Sequence, residues 1–116
     1  MKRRSLMAGA VTAALSPILH QSPAFAQNQP IRIGVPTAVQ LQVGRDTQAA
    51  VEMAIEDINA KGGVLGRKLE MVVADETELP ETGINAIKKL TAEDKVDVLV
   101  GGYTSGVTLP QLPHIS

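Results

Sequence analysis

The sequence predicts an α/β fold of three layers, with a parallel sheet of strand order 2-1-3 in the middle and helices on both faces. Three short apolar runs alternate with two segments of helical periodicity, and strands that alternate with helices are joined by right-handed crossovers in a parallel sheet. The second and third apolar runs are nearly continuous rather than alternating. Such runs are typical of strands that are covered on both faces.

The periodicity predicts strands over residues 31–36, 69–74 and 96–101, and helices over residues 45–61 and about 80–92. The apolar stripe of the first helix falls at 3.6-residue spacing and consists of Val51, Ala54, Ile55 and Ile58. Gly62-Gly63 ends this helix, because glycine adopts the left-handed cap without steric cost. Pro80 suits the first position of the second helix. The buried stripe expected there is Ile84, Ile87 and Leu90.

Residues 1–26 have the layout of a cleavable secretory signal. A basic head, Lys2 to Arg4, precedes an apolar run over residues 6–19 and the small residues of Ala24-Phe25-Ala26. The apolar run is too short for a membrane span of about 20 residues. We expect export to the periplasm, cleavage after Ala26 and one domain over residues 27–116. Arg3-Arg4 fits a twin-arginine signal as well as an ordinary one, and an N-terminal amphipathic helix is the alternative.

The composition excludes several classes of function. The chain has no cysteine, so neither a disulfide framework nor a thiolate metal site can form. Its two histidines lie far apart in sequence, which argues against a histidine metal site. A net charge of −1 with one Tyr, one Phe and no Trp lacks the basic and aromatic surface that nucleic acids require. We therefore predict no metal, no cofactor and no nucleic-acid partner.

The predicted ligand edge is the carboxyl end of the strands, where ligands bind in open parallel sheets. Loops over residues 37–44, 75–79 and 102–106 lie there. The third loop combines glycines and hydroxyls with a helix start in Gly101-Gly102-Tyr103-Thr104-Ser105-Gly106. Free amides at a helix start attract anions, so a carboxylate or carbonyl oxygen could bind an amide and a hydroxyl together. The simpler alternative is a helix cap by Thr104 or Ser105 after a glycine turn.

Enzymatic and metal-binding alternatives have less support. Ser105 lacks a G-x-S-x-G elbow, and His114 has no evident orienting acid, so no catalytic residue is predicted. The acidic loop from Asp75 to Glu78 could hold a hard cation, although a solvated loop is the better interpretation. Gly62 to Gly66 follows a helix and precedes a strand, which is the wrong order for a dinucleotide-binding loop.

One specific string carries a resemblance to a known family. It covers residues 54–70 and reads AIEDINAKGGVLGRKLE. It closely resembles the first lobe of the type I periplasmic solute-binding proteins of the leucine/isoleucine/valine-binding family, and the likeness extends to residues 31–36, 72–80 and 98–105. The resemblance implies a two-lobed receptor that closes on a small solute and delivers it to an inner-membrane ABC permease. It also identifies residues 27–116 as a partial first lobe, the N-terminal fragment of such a receptor.

The resemblance also implies a ligand site and a substrate class. Ser105 matches the serine that binds the ligand carboxylate through its hydroxyl and amide, and Thr104 and Gly106 flank it. Gln42 and Val43 match the first-loop position. The implied function is non-covalent capture of branched-chain or related amino acids, without membrane insertion of the chain itself. Tyr103 resembles relatives that bind short-chain amides or urea, which is the alternative. A sensory receptor lobe is a third possibility.

Some relatives join the second and third loops by a disulfide. Glu78 and Thr104 match those positions, so the disulfide is absent here. Pro110 lies one turn into the last helix, where proline removes a main-chain hydrogen bond. We expect it to interrupt that helix.

Overall fold

A three-stranded parallel sheet organises the computed structural model, which describes residues 28–115 together with Gly9. The strands are β1 (Ile31–Thr37), β2 (Leu69–Asp75) and β3 (Val98–Leu99), in the order β2-β1-β3. Both neighbours of β1 run parallel to it. The predicted α/β class and strand order 2-1-3 are confirmed. The predicted signal over residues 1–26 lies outside the described residues, apart from Gly9.

Three helices connect and follow the strands: α1 (Gln42–Ala60), α2 (Pro80–Lys88) and α3 (Ser105–Thr108). α2 continues as a π-helical turn over Lys89–Glu93, and α3 continues as 3₁₀ turns over Leu109–His114. The change of winding after Thr108 occurs next to Pro110, whose missing N–H cannot continue an α-helical ladder. The expected interruption at Pro110 is confirmed. None of the described helices is both long and apolar enough to cross a membrane.

The core lies around the central strand. Consecutive residues of β1 are buried from Ile33 onward, as expected for a strand that is covered on both faces. Right-handed crossovers to strands on either side of β1 place α1 and α2 on opposite faces. On the α2 side, Ala74, Ala86 and Leu90 form a buried cluster. α1 is covered less than predicted, because Gly44 is its one buried residue and Ala54 is exposed.

The end of α1 agrees with the sequence. Gly62 and Gly63 have φ values of 103° and 77°. The Gly63 amide donates to Ile58 O at 2.9 Å, and the Gly62 amide donates to Asn59 O at 3.1 Å, which together form a Schellman motif. A two-residue hairpin follows, in which Val64 and Arg67 exchange both main-chain hydrogen bonds. Its tip residue Leu65 has φ 49° and is 91% exposed.

Two predicted boundaries are wrong. β3 covers two residues rather than 96–101, because the Arg32 amide donates to the Asp97 side chain at 2.9 Å instead of a strand carbonyl. The Val96 amide donates to Leu90 O, outside the sheet. α1 begins at Gln42 rather than at residue 45, so the first loop ends at Leu41. The reason lies at Gly44, which packs directly against the main chain of Ala38 and lets the helix start close to β1.

Candidate functional site

Three loops meet at the carboxyl edge of the sheet: residues 38–41 after β1, 76–79 after β2 and 100–104 after β3. Because Thr37 pairs with Asp75, the first two loops leave the sheet at the same level. A shallow cavity of about 160 Å³ lies between these two loops. A second shallow cavity, of about 170 Å³, lies at the third loop. The edge is therefore open and contoured, as an incomplete binding surface would be.

The second cavity contains two of the six predicted site residues, Tyr103 and Ser105. It is lined by Gly102, Tyr103, Ser105, Thr108 and Leu109. Ser105 is exposed and is the first residue of α3. The main-chain hydrogen bonds of α3 begin with the Val107 amide, which donates to Thr104 O at 3.0 Å. The amides of Ser105 and Gly106 precede this bond in the first turn, where helix amides have no intrahelical acceptor.

The surroundings of these amides leave room for a ligand. Gly106 is exposed, and a Cβ at that position would meet nothing within 4 Å. A hydroxyl and two amides without helical acceptors therefore lie next to one another in the chain at this turn. Because α3 has four residues, hydrogen bonds from these groups and not a helix macrodipole would hold a ligand oxygen.

The predicted side-chain cap of α3 is wrong. Thr104 occupies the N-cap position, yet no side chain makes a capping hydrogen bond there. The Thr104 carbonyl instead accepts from the amides of both Val107 and Thr108. The Ser105 hydroxyl is therefore not engaged in capping α3.

Gln42 and Val43 lie in the first turn of α1 and not in a loop, which corrects the predicted first-loop position. The Gln42 side chain donates to Asp46 Oδ1 at 2.6 Å and accepts from Arg45 Nη2 at 3.0 Å. Neither residue lines the two cavities. Gln40 and Leu41 line the first cavity instead. The sequence prediction missed them because it started α1 too late.

Thr108 is a lining residue that the sequence prediction missed. It stands three positions after Ser105, a spacing that places both residues on one helical face, and this spacing was the available signal. Among the described residues, its buried hydroxyl has no hydrogen-bond partner. It packs beneath Gly102, where an added Cβ would lie 2.8 Å from Thr108 Oγ1. A buried polar atom, Thr108 Oγ1, therefore lies beneath the third loop.

The acidic loop is solvated only in part. Glu78 is exposed and Asp75 is half-buried, with Asp75 Oδ1 accepting from the Thr77 amide at 3.0 Å, but Glu76 is 1% exposed. Burial follows from the position of Glu76 directly after β2, where it faces the segment that follows α3. In the part of the chain that the structure describes, no three His, Asp or Glu side chains are grouped as a metal site would require.

The pKa of Tyr103 reflects the charges at this edge of the sheet. Tyr103 is 38% exposed. Its partial desolvation, followed by the negative charges of Glu78 and Glu76, raises the pKa of the phenol above the ordinary value of 10.0. The carboxylates of the second loop therefore act electrostatically on the phenol of the third loop.

We expect Glu78→Gln to move the pKa of Tyr103 back toward 10.0, because one of the charges that disfavour the phenolate is removed. Tyrosinate absorbance measures this directly, since the chain has one Tyr and no Trp. The folded state holds this proton more tightly than the unfolded chain, so stability should fall as the pH rises through 10. Glu52→Gln, on the exposed side of α1, is the control. An unchanged titration in Glu78→Gln would contradict the electrostatic contact.

The fold indicates where a ligand would bind. Open parallel α/β sheets bind ligands at the loops that follow the carboxyl ends of their strands. The family model described as periplasmic binding protein matches residues 30–114. The chain belongs to this family.

Individual relatives agree with that assignment. The chain is 33% identical over 109 residues to the Leu/Ile/Val-binding protein homolog 1 of Brucella abortus, covering 93% of this chain and 28% of that protein. It is 27% identical, with a TM-score of 0.67, to the branched-chain amino acid transporter substrate binding protein of Streptococcus pneumoniae, solved in complex with isoleucine. That match covers 73% of this chain and 25% of the other.

A third comparison supports the fold alone. A possible leucine/isoleucine/valine-binding protein of Rhodopirellula baltica has a TM-score of 0.70 at 21% identity, over 80% of this chain and 26% of that one. The match thus spans between a quarter and a third of the length of each of these three proteins. The described elements correspond to the part of the family fold that those matches cover.

Proposed function

We propose that this chain supplies part of the first lobe of the substrate-binding component of an ABC transporter, and that it captures a branched-chain or related amino acid without chemical conversion. One observation carries the proposal. Ser105 begins α3 at an open strand-end turn, where no side chain caps the helix and the amides of positions 105 and 106 precede its first main-chain hydrogen bond. A carboxylate is the group that best uses several such donors at once.

The relatives support the same substrate class. The Brucella relative is named for leucine, isoleucine and valine, and the pneumococcal structure contains isoleucine. All of these solutes have a carboxylate. In a complete receptor a second lobe would close over the solute, and the closed form would be the one that an inner-membrane permease recognises.

A short-chain amide or urea is the second candidate. Tyr103 lines the same cavity as Ser105, and a neutral carbonyl oxygen can accept from the same hydroxyl and amides. An uncharged solute would also avoid repulsion from Glu78, which acts on the Tyr103 phenol. The two candidates are separated by whether the bound solute needs a negative charge.

We expect leucine to shift the amide NMR signals of Ser105 and Gly106 with a dissociation constant in the millimolar range. Two or three hydrogen bonds of about 1.5–3 kcal/mol each to a charged group exceed the cost of association, about 4 kcal/mol or more, by at most about 5 kcal/mol, which corresponds to roughly millimolar binding at best. Ser105→Ala should weaken this binding about tenfold. Acetamide and urea, titrated in the same way, test the second candidate.

Thr91→Ala is the matched control, because its hydroxyl donates to Ile87 O at the end of α2, away from the ligand edge. Equal affinity of the Ser105→Ala and unmodified chains would contradict the proposed site. Micromolar binding by this chain alone would contradict the need for a second lobe.

We also propose that residues 1–26 direct the chain to the periplasm and are removed after Ala26. The basic head, apolar run and A-x-A site support this proposal. Mass spectrometry of a periplasmic extract should find a mature N-terminus at Gln27. Replacing Arg3 and Arg4 by Lys should block export only if the twin-arginine route is used. An uncleaved chain, or a different N-terminus, would contradict the proposal.

A further inference from the structure

Two buried polar side chains meet behind the ligand edge. Glu76 and Gln111 are each 1% exposed, and Gln111 Nε2 donates to Glu76 Oε2 at 2.8 Å. The two residues are 35 positions apart in the sequence. The bond joins the loop after β2 to the 3₁₀ turns that follow α3.

The same contact is part of a longer hydrogen-bonded chain under all three loops. The Glu76 amide donates to Thr37 O at 3.2 Å, and the Thr37 hydroxyl donates to Gly44 O at 3.2 Å. These hydrogen bonds therefore connect, one after another, the start of α1, the end of β1, the end of β2 and the turns after α3. Gln111 provides the side-chain step of this series that reaches the turns after α3.

α2 holds Gln111 in place from the other side. A Cβ added at Gly83 would lie 2.5 Å from Gln111 Nε2 and 2.7 Å from Val107 Cγ1. α2 thus approaches the α3 segment, residues 105–114, as closely as a glycine allows. The amide of Gln111 is confined between Gly83 and Glu76.

The α3 segment needs such an attachment because its own connection to the sheet is weak. β3 has two residues, and the chain between β3 and α3 passes through Gly101 and Gly102 at φ 152° and 81°. Glycines in this region allow several main-chain directions. The position of Ser105 relative to the other two loops is therefore not determined by the strand that precedes it.

We propose that Glu76 and Gln111 are positioning residues, whose buried hydrogen bond holds the Ser105 turn in register with the loops after β1 and β2. The inference rests on the proposed function, because the donors that it positions are those of the proposed solute site. A merely structural contact would stabilise the whole domain, whereas a positioning contact controls the α3 segment first.

Hydrogen exchange of the full chain without solute tests this distinction. In Gln111→Met, which removes the donor at similar size, the amides of Val107 and Thr108 should exchange about tenfold faster. The reference amides are those of Gly63, at the end of α1, and Val64, in the hairpin that follows, which donate to Ile58 O and Arg67 O. Their exchange rates should change less than twofold. Glu76→Gln keeps an acceptor oxygen for Gln111 and should retain the protection of both α3 amides.

Equal acceleration of the α3 and hairpin amides would overturn the inference, as would unchanged exchange in Gln111→Met. Loss of α3 protection in Glu76→Gln would also overturn it, and this variant decides the question if Gln111→Met does not fold. Leucine titration of the same samples separates the two proposals. Local loosening with unaltered leucine shifts would support the positioning role and contradict the assignment of Ser105 as a solute contact.

Discussion

Gly44→Ala is expected to prevent stable folding of this domain. A Cβ at position 44 would overlap the carbonyl oxygen and carbon of Ala38, which are main-chain atoms that cannot rotate away. The surrounding main chain is held on both sides, because the Leu41 amide donates to Ala38 O and the Thr37 hydroxyl donates to Gly44 O. We expect a loss of about 3 kcal/mol or more, a large part of the usual 5–15 kcal/mol of a domain.

Thermal unfolding followed by circular dichroism measures this loss. Gly106→Ala is the matched control, since a Cβ there would meet nothing within 4 Å and alanine favours a helix. A melting temperature for Gly44→Ala within a few degrees of the parent would show that the first loop can move away from α1. The close start of α1 would then not be required by the fold.

Leu90→Ala is expected to have the largest effect among core substitutions. Leu90 is fully buried and packs with Ala74 and Ala86. Removing its side chain leaves a cavity between α2 and the sheet, and such substitutions cost about 2–5 kcal/mol. Leu112→Ala makes the same chemical change at a side chain that is 54% exposed, and it should cost less than about 1 kcal/mol.

Urea unfolding of the two variants gives both values under the same conditions. A similar loss for Leu90→Ala and Leu112→Ala would contradict the placement of Leu90 in the core.

The features that the sequence predicted correctly are those set by local chemistry. The Gly62-Gly63 pair needs positive φ, and the structure uses it in a Schellman motif. The cover on both faces that was expected for the continuous second and third runs is found at β1 instead, since β2 is mostly half-buried and Val98 of β3 is 47% exposed. The parallel sheet follows from the alternation of strands and helices with right-handed crossovers. None of these inferences required knowledge of a distant contact.

Most of the incorrect predictions depend on side-chain or close-packing contacts that the local pattern does not show. Glu76 looks like part of a solvated acidic loop until Gln111, far along the chain, is brought beside it. β3 is shortened by a side chain, Asp97, that takes the place of a strand carbonyl. Gly44 resembles a loop glycine, although its role is to let α1 approach Ala38. Such pairings have no periodic signal in a single sequence.

The position of the hairpin after α1 makes it a suitable place for a spectroscopic probe. Leu65 is 91% exposed at the amino end of β2, so the seven-residue strand separates it from the ligand edge by about 20 Å. Because the chain has no cysteine, Leu65→Cys would create a unique thiol for a fluorescent dye. In a longer receptor that contains this lobe, energy transfer from that dye to one on the opposite lobe would report closure in real time, without a label near the solute.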